Sequence, residues 1–110
     1  MPRFVTIGYG DREGYDSTDA AIRDAAHAHD AKLLKDGVVM GIAGTPLTVR
    51  NTGGVRVETV EGPFMASALP VAGFAIIEAA SLAEAIDLVS RTPCAVAHGV
   101  VEVWPLEEAT

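Results

Sequence analysis

In "RFVTIGYG" β-branched and aromatic residues run up to Gly8-Tyr9-Gly10-Asp11, a pattern that predicts a first strand and a turn. A charged, Gly-containing stretch leads to Ser17-Thr18-Asp19, residue types that cap helices. Beyond them Ile22, Ala25, Ala26, His29 and Leu33 recur at helical spacing, and Gly37 stands where a left-handed C′ residue is wanted, so one helix is predicted over 18–36. "VVMGIAG" follows, short and β-branched, as a buried strand. "LTVR" at 47–50 and "VRVETV" at 55–60 flank Asn51-Thr52-Gly53-Gly54 and predict a hairpin. "GFAIIEA" is the next strand. Ser81 with Glu84 forms a capping-box signature for a second helix, whose stripe is Leu82, Ala85, Ile86 and Val89 and which ends before Pro93. The last strand, "HGVVEVW", is closed by Pro105, and "LEEAT" is a short acidic tail.

This order, strand, helix, strand, hairpin, strand, helix, strand, predicts an α+β fold. It is that of a ferredoxin-like split βαβ sandwich, with a mainly antiparallel sheet and both helices on one face. Val38, Met40, Ile42, Ile76 and Val101 supply apolar side chains to both faces of the sheet. The open face is therefore expected to meet a second subunit, giving a homodimer. Between the hairpin and the next strand, Glu61-Gly62-Pro63-Phe64 makes a strand stop: Gly62 permits unusual dihedrals, Pro63 lacks an amide proton and Phe64 is an apolar anchor. The segment "MASALPV" after it is too apolar for a solvated loop and is expected to line a pocket or pack across the dimer.

Composition narrows the partners. A chain of 110 residues is the size of one domain, 1–110, with a single core. With 15 acidic against 8 basic residues its formal charge is −7, and the basic residues are scattered, so direct nucleic-acid binding is not expected. No apolar run approaches the roughly 20 residues that span a bilayer, and "MPRFVTIGYG" enters a strand without a secretory pattern; no membrane association and a cytoplasmic location are expected. Cys94 is the single cysteine, which excludes an intrachain disulfide and is read as inert.

Four fragments in order resemble the YCII-related family, in the subgroup named for its DGPF motif: "IGYGD" at 7–11, "LLKDGVVMGIAG" at 33–44, "VEGPF" at 60–64 with Glu61 in place of Asp, and "HGVVEVWPL" at 98–106. The resemblance covers nearly the whole chain and implies a dimeric ferredoxin-like fold of α-β barrel type. It also implies a His on the first helix, paired with a nearby Asp, as a catalytic couple in several members; that position is Ala26 here, and His27 lies one residue on, rotated by about 100° around the helix. The polar stretch that usually follows the motif is replaced by "MASALPV", and the Arg of the last strand by Trp104.

The candidate chemistry rests on three histidines. His27 or His29 with Asp11 or Asp30 is the cheapest acid-base pair available, because a carboxylate fixes the tautomer of a group that titrates near neutrality. His29 also falls within the apolar stripe, where packing accounts for it. His98 enters the last strand beside Gly99, and Glu102 in that strand, if buried, needs a partner such as Arg3 or Arg56. His27 and His29 point about 200° apart and cannot chelate one ion, and no Gly-rich loop opens a helix, so neither a metal nor a cofactor is expected. The reading that results is a homodimer binding a small, partly apolar organic molecule between the first helix, the EGPF loop and the sheet, with Glu61, Phe64, Met65 and His98 as ligand contacts. Catalysis by His27, His29 and Asp11 is left open. The alternative is a non-enzymatic accessory protein acting through protein contacts, linked through the family to sigma-factor regulation.

Overall fold

The computed structural model describes residues 1–107. In chain order the elements are β1 (Arg3–Tyr9), α1 (Arg12–Asp16), α2 (Ala20–Lys35), β2 (Val39–Ile42), β3 (Leu47–Arg50), β4 (Glu58–Glu61), β5 (Val71–Glu78), α3 (Leu82–Val89), α4 (Pro93–Val96) and β6 (Val100–Leu106), with a 3-10 turn at Thr52–Gly54. The main sheet has four strands in the order β2-β5-β1-β6, and its neighbours pair antiparallel throughout. The architecture is α+β, and β3 with β4 forms a separate two-stranded arm.

Strand alternation divides the sheet into two unlike faces. Phe4 and Thr6 of β1 and Ile77 of β5 are buried on one face, with Ala75, Val101 and Val103 packed around Phe4 and Ile77. Ala85 and Val89 of α3 complete this core, and Ile77, 2% exposed, contributes about 1.5–3 kcal/mol through its burial. A hydrogen bond of 2.7 Å between His29 Nε2 and the Leu88 carbonyl ties α2 to α3. The capping box forms as predicted in outline: the Glu84 amide donates to Ser81 Oγ, and the Glu84 carboxylate reaches back to the Ala80 amide. At the end of α2, Gly37 adopts φ 94°, while its amide bonds the Leu34 carbonyl and that of Val38 bonds Leu33.

Several elements differ from the pattern-based expectation. The first helix is shorter, 20–35, and α1 precedes it, because Asp11 caps an extra turn by accepting from the Gly14 amide at 2.9 Å. Helix α3 does end before Pro93, as expected, but Pro93 itself begins the further short helix α4, where its fixed φ and missing amide proton suit the first turn. The second arm of the hairpin begins at Glu58 rather than Val55, since residues 51–57 are taken up by the turn, in which Gly53 and Gly54 both have φ 70°. Pro105 does not close β6 but lies within it, opposite Phe4; β6 is an edge strand, where the missing donor is tolerated. His98 and Gly99 lie before β6, and a Cβ on Gly99 would stand 2.2 Å from the Tyr9 carbonyl oxygen. Of the acidic tail, Leu106 belongs to β6 and residues 108–110 lie outside the described residues.

The second face of the sheet carries an apolar row that crosses all four strands: Val39, Ile76, Val5 and Trp104 stand in register. Val39, Ile76 and Trp104 are 67%, 43% and 54% exposed. The arm is exposed as well, including Leu47, Val49, Val57 and Val60. The radius of gyration, 16.0 Å, exceeds the roughly 13 Å of a compact chain of this length. Among the described residues no helix is long and apolar enough to cross a membrane.

Candidate functional site

Residues 62–71 leave the arm and turn back across the Tyr9 end of the open face. Gly62, at φ 112°, makes the departure in a region that L side chains rarely adopt. Its amide donates to the Pro46 carbonyl at 3.0 Å, closing the base of the arm, and the Gly10 amide donates to the Pro70 carbonyl at 3.1 Å, fastening the far end of the segment to the end of β1. Between segment and sheet lies an open cleft of about 770 Å³, inside the roughly 300–1,000 Å³ of small-molecule sites. Ile7, Phe74 and Val100 form its sheet side; Met65, Leu69 and Pro70 form the opposite wall.

Two polar side chains meet in this apolar surround. Glu102 of β6 is opposite Ile7 and Tyr9 of β1 is opposite Val100, which makes Tyr9 and Glu102 diagonal neighbours on one face, within reach of long side chains. The Tyr9 hydroxyl donates to Glu102 Oε1. That bond, followed by burial and the carboxylate's negative charge, pushes the Tyr9 phenol above its ordinary pKa, so the proton stays on the tyrosine at neutral pH. Glu102 thus has a partner, Tyr9, while Arg56 bonds Glu58 at 2.9 Å in the arm. The pair was legible in part: Glu102 interrupts an apolar alternation in β6, but only the β1–β6 register shows that Tyr9 stands beside it.

Of the residues expected to form a site, Met65 alone lines the cleft. Helix α2 packs with α3 on the other side of the sheet, so the pocket expected between the first helix, the EGPF loop and the sheet is instead a cleft between the loop and the open sheet face. His27 Nε2 lies 2.8 Å from the Tyr15 hydroxyl, and the Arg23 guanidinium sits 4.8 Å from the centre of the same Tyr15 ring; together they pin α1 to α2. His29 is engaged by the Leu88 carbonyl, and Asp11 Oδ1 by the Gly14 amide; none of these contacts joins a His to Asp11. Ala26, where the family resemblance places a His, is 2% exposed and faces the interior.

The remaining candidates are dispersed. His98 is exposed at φ 62°, the left-handed region, just after α4. Glu61 ends β4 opposite Leu47, and Phe64 is exposed with the Arg50 guanidinium 5.6 Å from its ring centre. Burial raises the Asp30 carboxyl above its ordinary pKa, against the opposing pull of His29 and His27. Burial also raises the Cys94 thiol, with the Asp30 charge adding to it, which makes Cys94 a poor nucleophile. No group of three His, Cys, Asp or Glu side chains among the described residues is arranged to hold a metal ion.

An antiparallel sheet with helices on one face and an apolar cleft on the other describes an α+β domain. The chain belongs to the YCII-related family: the YCII-related domain model matches residues 3–110. No curated protein matches it.

Proposed function

We propose that the chain, with Glu61-Gly62-Pro63-Phe64 as its form of the DGPF motif, is a cytoplasmic, ferredoxin-like homodimer of α-β barrel type. Its function is to bind a small, partly apolar organic molecule in the cleft between residues 62–71 and the sheet. The observation that carries the binding reading is the cleft itself, apolar on both walls with one convergent polar pair, Tyr9 and Glu102. The dimer is supported by surface area. The chain exposes 7773 Å², against about 5,800 Å² for a compact monomer of 11.4 kDa. The excess, about 2,000 Å², is more than the roughly 800 Å² that each partner buries in a standard interface. Pairing through the open faces covers the row Val39, Ile76, Val5 and Trp104 and roofs the cleft beside it.

The function is binding rather than turnover, because the ring nitrogens of His27 and His29 that make contacts serve the packing of helices. A panel of small cyclic compounds, followed by NMR of the Met65 methyl and the Tyr9 ring, is the test. Shifts confined to cleft residues are the expected result; unshifted cleft signals across the panel refute the binding reading. One observation favours the second reading, an accessory protein that contacts another protein and is linked to sigma-factor regulation: the arm exposes Leu47, Val49, Val57 and Val60, and an isolated two-stranded hairpin is at best marginally stable in water.

A further inference from the structure

The charge of the cleft is one-sided. Among its described lining side chains none is basic. Ser67 Oγ accepts from the Leu69 amide at 3.3 Å and keeps a neutral hydroxyl proton, but no charge, to offer a ligand. Tyr9 has a single hydroxyl proton, and Glu102 Oε1 accepts it. What the pair still offers is acceptor capacity: Glu102 Oε2, the remaining lone pairs of the carboxylate and those of the phenol oxygen. The carboxylate's negative charge is the one formal charge among the cleft's described lining side chains, which are otherwise neutral and mostly apolar. Phe74 and Tyr9 add ring faces, which attract cations through their quadrupoles. At longer range the chain's formal charge of −7 draws cations and repels anions.

We propose that the ligand of this cleft is an organic amine, bound as its ammonium ion, with the hydrocarbon body between Met65, Leu69 and Phe74 and the charged head on Glu102. Tyr9 is the positioning residue: its hydroxyl holds the carboxylate in one orientation, so that the second oxygen is turned to the ligand. A carboxylate or phosphate ligand would meet like charge with no basic side chain in the lining to offset it. A neutral alcohol can donate one hydrogen bond to the carboxylate but brings no positive charge to meet it, so it lacks the ion-pair attraction that an ammonium adds.

This inference rests on the cleft being a ligand site, and the experiment separates the two. Cyclohexylamine, cyclohexanol and cyclohexanecarboxylate share one apolar body and differ in the head; each is titrated into the full chain by calorimetry near neutral pH and low salt. The amine is expected to bind at least about tenfold more tightly than the alcohol, the carboxylate most weakly, and the amine's advantage to shrink as salt is added. Glu102→Gln is expected to bring amine and alcohol to within about threefold of each other while alcohol affinity is retained. If the alcohol or the carboxylate binds the wild-type chain as tightly as the amine, the ligand class is wrong and the cleft reading stands. If none of the three binds, both fall. An amine preference that survives Glu102→Gln also overturns the assignment. Should that variant fail to fold, nuclear Overhauser contacts from bound amine to the Met65 methyl and the Tyr9 ring decide it in the wild-type chain, and contacts elsewhere refute it.

Discussion

Replacing Ile76 with Glu tests the dimer at the centre of the open face. In the single chain Ile76 is 43% exposed and lies between Val39 and Val5 in the cross-strand row. Burying a whole Ile side chain is worth about 1.5–3 kcal/mol, so covering its exposed part in a dimer is worth about 1 kcal/mol per copy and about 2 kcal/mol for the symmetric pair. The introduced carboxylates must also leave water, which adds at least about 2 kcal/mol to the loss. Ile76→Glu should therefore weaken the dimer by about 4 kcal/mol or more, roughly a thousandfold in dissociation constant. Sedimentation equilibrium over the micromolar range reads this directly: a dimer for the wild-type chain and a monomer for the variant. Ala28→Glu, on the exposed side of α2, serves as the control and should leave the dimer intact. A wild-type monomer at micromolar concentration refutes the dimer itself. An Ile76→Glu dimer as tight as wild type refutes the open face as its seam.

Gly62→Val should destabilise the base of the arm by about 1–3 kcal/mol, because φ 112° is strained for any L side chain even though no atom lies within 4 Å of the added Cβ. Faster amide exchange at position 62 and in β3 and β4 is the expected signature, and exchange identical to wild type in β3 and β4 would show the turn unstrained. Asp30→Asn should raise stability at neutral pH. Burial raises the folded-state pKa of Asp30, so the folded chain holds this proton at pH values where the unfolded chain, with an ordinary pKa near 3.9, has released it. Stability is therefore lost as pH rises through that window, and the penalty is complete above the folded value. The gain from Asn should shrink as pH falls through this window and should vanish below about pH 3, where the carboxyl is protonated in both states. Denaturant midpoints measured against pH check this; a variant less stable than wild type at pH 7 contradicts it.

Local patterns carried much of the fold because the residues that set it act locally. Gly37 ends α2 through backbone dihedrals, Ser81 and Glu84 begin α3 through bonds a few residues apart, and the alternation in β1 and β5 reports one buried face. The short helices α1 and α4 escaped because each is barely a turn, too short for a periodic signal, and because Pro93 suits a helix start as well as a stop. The site was less legible. His27 and His29 drew attention by residue type, yet their partners, Tyr15 and the Leu88 carbonyl, are helix-packing contacts that helical spacing alone does not reveal. Tyr9 and Glu102 are separated by most of the chain and become neighbours only through the register of β1 with β6. What the sequence did disclose was the anomaly of "MASALPV", an apolar segment in loop position, and Met65, Leu69 and Pro70 from it do line the cleft.

The cleft and the proposed seam share one face, and this has an energetic consequence. Ile7, Phe74 and Glu102 of the cleft stand in the cross-strand row next to the one formed by Val39, Ile76, Val5 and Trp104, so a second copy laid on that row lies beside the ligand. A cation on Glu102 is then shielded from water by the partner, and the contact strengthens as the local dielectric falls. On the proposed dimer and ligand, binding should therefore favour the dimer, and by thermodynamic reciprocity dimerisation should raise ligand affinity by the same factor. For coupling of about 1–3 kcal/mol the dimer dissociation constant should fall about fivefold or more with cyclohexylamine at saturation. The Ile76→Glu monomer should bind the amine correspondingly more weakly, although Ile76 is not among the lining residues. Sedimentation with and without amine measures the first effect and calorimetry on the variant the second. Equal dimer affinity at zero and saturating amine, with undiminished binding by the monomer, would separate the two uses of the face and place the seam elsewhere.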